Sequence, residues 1–303
     1  MDIQLKQYYQ KKRIFVNKSL IKVLPDKLGY SQVLAESMKY SVLADGKRLR
    51  ALLLIAVSEM FGLPMRKVKY AACALELIHT YSLIHDDLPC MDNDDFRRGK
   101  LTNHKRFGEA VALLAGDALL AYAFELLAKN ADMLGLNSND FSTLIATIAR
   151  SIGYDGMVGG QVVDMLLSMK HEAVSRGEIN KKLNFMHINK TAALISASIT
   201  AGGVLAKAPK KNIKYLMEFG LKIGLAFQVV DDILDETKTA KELGKSNSDS
   251  KNKKITFPGI YGLEKSFKRA ENLIHSAKND LKVFGKRALY LNLLADYVLE
   301  RSK

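Results

Sequence analysis

Apolar residues recur at helical spacing through 3–24, 31–44, 48–61, 66–88, 107–129, 139–153, 157–169, 178–206, 211–236 and 264–300. Each stretch predicts an α-helix with one face turned toward a core. Alternating runs are missing, and no hairpin dipeptide sits between such runs, so strands are not expected. The breaks fall at Gly62–Pro64, Pro89–Gly99, Leu134–Asn139, Lys207–Pro209 and a polar stretch at 237–254. None is long enough to separate domains. The expected architecture is all-α, a single helical domain over residues 1–303.

Two of these patterns run into acidic clusters. LELIHTYSLIHDDLPCMDNDDFRR, from Leu75 to Arg98, places Asp86, Asp87, Asp92, Asp94 and Asp95 directly after an apolar run. Carboxylates at the mouth of a buried space are heavily penalised unless a cation compensates them. GLAFQVVDDILDE does the same with Asp231, Asp232 and Asp235, and Asp231 and Asp235, four apart, share a helix face. Hard carboxylate oxygens hold Mg²⁺ together with waters and substrate phosphates, so two such faces predict a clamp on a diphosphate. Asp86 and Asp92 would point about 240° apart on an unbroken helix. Pro89 between them removes a backbone donor and clashes with the carbonyl of His85. A distorted turn at Leu88 to Met91 is therefore expected to swing Asp92 back toward Asp86. Either cluster alone could be a solvated helix end; the apolar residues leading into both argue against it.

Composition narrows the setting. At 48% hydrophobic residues the 303-residue chain reads as globular, with a mean hydropathy of -0.05. The N-terminal MDIQLKQYYQKKRIF lacks the apolar segment and cleavage site of a signal peptide. Cys73 and Cys90 form no disulfide or zinc pattern, so a cytoplasmic location is expected and Cys90 reads as filler. No stretch reads as long and apolar enough to span a bilayer, so no stable membrane insertion is expected, and the most apolar ones, 110–128 with Asp117 and Glu125 inside it and 193–206, are expected as buried helices. The net charge of +14 comes mostly from scattered lysines without aromatic interleaving, so no nucleic-acid partner is expected.

DDLPCMD followed by RRG, and the later FQVVDDILD, resemble the two aspartate-rich motifs of the trans-isoprenyl diphosphate synthases. The four-residue spacing in the first is similar to that of bacterial-type farnesyl diphosphate synthases. YSVLADGKRLR, ELIHTYSLIHDD, FGEAVALLAGDALL, GMVGGQVVDM, NKTAAL, the LGK to KKITF loop and LADYVLERSK extend the resemblance over nearly the whole chain. It implies the isoprenoid synthase fold, a helical bundle around a central apolar cavity. It also implies a homodimer, with the 110–128 helix near the interface. The implied reaction is a Mg²⁺-dependent prenyl transfer. Isopentenyl diphosphate condenses with dimethylallyl diphosphate and then geranyl diphosphate, by ionisation, condensation and elimination, to give farnesyl diphosphate, with about three Mg²⁺ ions per site held by carboxylates and phosphates.

Within that reading Asp86, Asp92 and Asp231 are the expected metal ligands. Asp87, Asp232 and Asp235 stand behind them, acting through water or orienting basic residues. Asp94 and Asp95 are weaker candidates, since capping would look the same in sequence. The resemblance assigns Arg97, Lys190, Lys245 and Lys254 to the allylic diphosphate, and Thr191 and Gln228 to positions beside the reacting carbons. It assigns Gly46, Lys47, Arg50, His79 and Arg98 to isopentenyl diphosphate. His85, His104, His171, His187 and His275 are expected to be structural. Where the family commonly reads GGKRLRP this chain has Asp45 and Ala51. The lost glycine questions any positive-φ contact there, and the added carboxylate could weaken the anion site.

Tyr81 and Ser82, five and four residues before Asp86, are expected to set product length. An aromatic ring at the first position resembles the farnesyl-length enzymes. The 237–254 loop is expected to close as a lid, and Arg301 to approach the homoallylic site. The alternatives are a geranylgeranyl or longer-chain synthase, a terpene cyclase, and a non-catalytic helical scaffold or regulatory subunit.

Overall fold

The computed structural model describes residues 1–26, 29–169, 176–237 and 255–301. The chain begins with α1 (Ile3–Val23), α2 (Gln32–Val42) and α3 (Leu49–Met60). A 3₁₀ turn at Met65–Val68 leads into α4 (Lys69–Asp86). A two-stranded antiparallel ribbon, β1 (Phe96–Arg97) and β2 (Lys100–Leu101), follows. Next come α5 (Asn103–Phe107), α6 (Glu109–Met133), α7 (Ser138–Ile152), α8 (Met157–Met169) and α9 (Arg176–Met186). A π-helical turn at His187–Ala192 joins α9 to α10 (Ala193–Leu205). The chain continues through α11 (Lys210–Thr237), α12 (Phe257–Tyr261), α13 (Leu263–Leu281), a 3₁₀ segment at Lys282–Ala288 and α14 (Leu289–Glu300).

Every residue of α10 from Leu194 to Leu205 is buried, as its unbroken apolar and small-residue sequence demands. Helices α3, α7 and α11 surround it. Two apolar clusters form the core. One gathers on α4 and α6 (Leu75, Leu77, Ile78, Leu119, Leu126) and the other on α11, α13 and α14 (Phe219, Ile223, Ile274, Leu291). Helices α3 and α10 stand between them, sending Leu54 and Leu194 into the first and Leu53 and Ile195 into the second. At roughly 1.5–3 kcal/mol per buried large aliphatic side chain, these two shared helices fix the relation of the α4 side to the α11 side.

The all-α expectation holds, with three local differences. The continuous pattern at 178–206 is interrupted by the π turn. The pattern at 264–300 breaks at Gly285, whose φ of 55° and ψ of −136° no helix accommodates. The short ribbon was not anticipated: its turn, Arg98 and Gly99, has φ of 54° and 73°, the positive pair that a two-residue hairpin requires. The apolar stretch at 110–128 also needs correction. It lies within the 25-residue α6, whose best window has a hydropathy of 1.8, long and apolar enough by composition to cross a membrane. In the fold Ala115, Leu119, Ala123 and Leu126 lie in the core, while Leu113 and Leu114 on the other side are exposed.

Candidate active site

The turn after α4 behaves as Pro89 requires. The helix stops at Asp86, and the amides of Met91 and Asn93 donate back to the carbonyl of Leu88 at 2.9 and 3.1 Å. The amide of Asp92 donates to the carbonyl of Asp86 at 2.9 Å, which brings the two residues together despite their spacing. Across the fold, α11 presents Phe227, Gln228 and Asp231, and the π turn presents Lys190 and Thr191. All of these, with Asp86, line one cavity of about 1090 Å³.

The cavity also takes in Gly46, Lys47, Arg50, His79 and Arg98. The residues expected at a metal-free anion site are thereby brought together from the 45–48 loop, α3, α4 and the hairpin turn. Burial and the neighbouring cations depress Lys47, Arg98 and His79, and push Arg50 down to about 10. Cations held at a mutual cost call for an anion. Arg50 Nε and His79 Nδ1 are buried without a hydrogen-bond partner among the described residues, as donors kept for a ligand would be. Arg48 in the same KRLR run is structural instead. It donates to the carbonyls of Val42 and Ala44 at 2.9 and 2.8 Å and to Asn17 Oδ1 at 2.9 Å.

The two departures are accommodated. Asp45 is not among the positive-φ residues, and its carboxylate accepts from the Gly46 amide at 3.0 Å and from Arg13. The Ala51 amide donates to Glu76 Oε1 at 3.1 Å, a bond proline could not make.

The aspartates divide. Asp86 and Asp231 face the cavity. Asp87 is buried in a bidentate grip with Arg97, Nε to Oδ1 and Oδ2 at 2.7 and 2.9 Å, with Nη2 at 2.6 Å from Oδ1. Burial pushes its pKa up to about 6 against the pull of Arg97. Neither Asp87 nor Arg97 lines the cavity. Asp232, 5% exposed, accepts from Gln228 Nε2 at 2.8 Å and from the Phe257 amide at 2.9 Å, and lies 3.3 Å from His187 Nε2. Thr191 donates to Gln228 Oε1 at 2.6 Å, so Asp232 fixes a chain ending at the cavity wall. Asp92 and Asp235 lie outside the cavity lining. Asp95 pairs with Lys105 at 2.8 Å, and Asp94 stands 3.7 Å from Arg97. Lys245, Lys254, the 238–254 loop and His171 lie outside the described residues.

Arg301 reaches the site, although to the acidic wall. It donates to Asp231 Oδ1 at 2.6 Å and its guanidinium covers the Phe227 ring at 4.3 Å. Burial raises Asp231, with Arg301 and Lys47 pulling it back. Tyr81, 6% exposed, lines the cavity below Asp86 and meets His85 edge to face at 5.7 Å. Ser82 donates to the His79 carbonyl at 3.0 Å. Sequence reasoning missed the α8 wall, with Met157, Val158, Gln161 and Met165, and Asp164, which pairs with Lys190 at 2.5 Å. Gln161 and Asp164, polar and three apart in the apolar GMVGGQVVDM, were the available signal.

Among the described residues no three His, Cys, Asp or Glu side chains form a ready metal cage. Opposed carboxylates on one cavity fit Mg²⁺ nonetheless, because that ion is held by one or two carboxylates and completed by phosphate oxygens. Fold and cavity together define an all-helical protein built to hold a polyanionic head over an apolar chamber. A family model described as polyprenyl synthetase matches residues 31–289, and the chain belongs to that family. It is 42% identical over 302 residues to a geranylgeranyl diphosphate synthase of Cyanophora paradoxa, covering 99% of this chain and 98% of the relative. It is 45% identical over 298 residues to a chloroplastic geranylgeranyl pyrophosphate synthase of Capsicum annuum, covering 98% and 78%. Among solved structures, a Helicobacter pylori geranyltransferase complexed with magnesium and isoprenyl diphosphate superposes with a TM-score of 0.82 at 33% identity, covering 99% of this chain and 97% of the other. The protein is a prenyltransferase.

Proposed function

We propose that this prenyltransferase elongates dimethylallyl diphosphate with isopentenyl diphosphate, through geranyl and farnesyl diphosphates, to geranylgeranyl diphosphate. The observation that carries the reading is a single cavity with an acidic rim, a basic wall on which Arg50 Nε and His79 Nδ1 have no partner among the described residues, and an apolar floor. The end product follows the names of the relatives. Farnesyl diphosphate, expected from the sequence, becomes the second reading, and the buried Tyr81 ring favours it because it would obstruct a longer tail.

Asp86, Asp92 and Asp231 hold Mg²⁺, which when bound supplies Lewis-acid stabilisation of the leaving diphosphate and a template for it. Lys190, with Lys245 and Lys254, neutralises the allylic diphosphate. Arg97 acts through Asp87 instead of touching substrate. Gly46, Lys47, Arg50, His79 and Arg98 hold isopentenyl diphosphate: the arginines offer forked donors, Lys47 a point charge, and the neutral His79 one N–H. Asp232 fixes Gln228, and Gln228 fixes Thr191, so both side-chain dipoles meet the developing allylic cation in one orientation. Asp235 acts through water. The apolar walls exclude water from that cation, and the departing diphosphate takes the proton released on elimination. The homodimer implied by the resemblance would cover the exposed Leu114 on α6.

The test is incubation with Mg²⁺, dimethylallyl diphosphate and labelled isopentenyl diphosphate, then sizing of the products. A dominant C20 product supports the first reading and C15 the second. No label in any prenyl product overturns both.

A further inference from the structure

Helix α1 belongs to no motif that the reaction uses, yet one face of it enters the anion site. Tyr9, Arg13 and Asn17 are spaced four apart and so line up along α1. Each engages the 45–48 loop. The Tyr9 hydroxyl donates to the Lys47 carbonyl at 2.7 Å, Arg13 Nε to the Gly46 carbonyl at 3.2 Å, and Arg48 Nε to Asn17 Oδ1 at 2.9 Å. Tyr9 and Arg13 also line the cavity. Arg13 Nη2 pairs with Asp45, whose side chain is 82% exposed while that of Arg13 is 36% exposed. A guanidinium has five N–H donors, and these two bonds use two of them. The Gly46 loop allows close approach: a Cβ there would lie 2.7 Å from Arg98 Nη1.

We propose that Arg13 is a further ligand of the diphosphate in the metal-free basic pocket, and that Asp45 competes with that diphosphate for its guanidinium. This rests on the two-diphosphate reading above. The geometry is that of a guanidinium on the cavity wall, tied to the backbone of Gly46 through Nε and held through Nη2 by a solvent-facing carboxylate. An incoming dianion with two phosphoryl groups offers that guanidinium a better partner than a solvated carboxylate does. Asp45 then swings into water at little cost. Of the other carboxylates near this wall, Glu76 is 2% exposed and held by the Ala51 amide, and Asp231 is paired with Arg301, so neither takes part in the exchange.

Two readouts test this on the full chain. In steady-state kinetics with saturating allylic substrate, Arg13→Gln should raise KM for isopentenyl diphosphate about tenfold, as loss of one charge-assisted bond implies. Its kcat and the allylic KM should stay within about twofold, and Arg13→Lys should recover part of the loss. By calorimetry with inorganic pyrophosphate in EDTA, Arg13→Gln should weaken binding similarly, while Asp45→Asn should tighten it about threefold. Unchanged values in a folded Arg13→Gln, or an equal rise in both KM values, overturn the assignment. Unchanged or weaker pyrophosphate binding by Asp45→Asn overturns the exchange, and that variant carries the test should Arg13→Gln not fold. Arg13-dependent pyrophosphate binding by a protein that forms no prenyl product would sink the functional reading while leaving this site standing. No metal-free binding by the wild type would sink the site itself.

Discussion

At the residue scale, identity and role part company. Asp86 and Asp87 are chemically equal neighbours, yet one faces the cavity and the other is buried under Arg97. The motif named both; the partner that separates them is set by a hairpin turn with no sequence signal of its own. Tyr81 was legible as a residue of the cavity wall because its distance from Asp86 is slightly more than one turn. Tyr81→Ala should lengthen the products by at least one isoprene unit, read by chromatography; an unchanged distribution from a folded, active variant rejects that role. His79 makes a pH prediction. Its folded pKa is depressed by burial and nearby arginines, so below its ordinary value of about 6.5 the unfolded chain takes up a proton that the folded one refuses. Stability contributed by neutral His79 is therefore complete above pH 6.5 and erodes on acidification, by at most about 1.4 kcal/mol per pH unit. Denaturant titrations between pH 7.5 and 5.5 should show a shallower slope in His79→Gln.

At the element scale, helix existence followed from periodicity and local geometry did not. The π turn at His187–Ala192 inserts a residue that no apolar pattern reports, yet it aims Lys190 and Thr191 at the cavity. The turn is seated against α8, where a Cβ at Gly160 would stand 2.3 Å from the Lys190 backbone nitrogen. Backbone cannot rotate out of the way as a side chain can. Gly160→Ala should cost about 1–3 kcal/mol through overpacking. Because a misplacement near 1 Å can cost on the order of 100-fold, turnover should fall much further than stability. A thermal melt and kcat measured together separate the two; parallel, small losses would show that the turn tolerates displacement. The Gly285 break escaped notice for a related reason: apolar spacing resumes in register on α14, so the pattern reads straight through it.

At the scale of the whole molecule, α3 and α10 tie the α4 side to the α11 side, and the two acidic walls belong to opposite sides of that junction. A ligand engaging both walls stabilises the assembled state alone. Mg²⁺ and inorganic pyrophosphate added together should raise the unfolding midpoint by several degrees, about 2.7 kcal/mol at a hundredfold excess over Kd. Each alone should do far less, because on the proposed reading Asp231 would have to leave Arg301 to bind a cation and a metal-free anion would reach only the basic wall. Equal shifts with and without chelator would contradict this.

The chamber beneath those walls is lined by Tyr81, Leu113, Met157, Val158 and Met165, the same kinds of side chain that make up the interior elsewhere. On the proposed reading, a prenyl tail growing there would become, for its residence, one more hydrophobic segment of the protein. Each added isoprene tightens the hold on a molecule that must eventually leave, so turnover should be governed by departure rather than bond formation, and a membrane or detergent that accepts the tail should quicken the cycle without touching the chemistry.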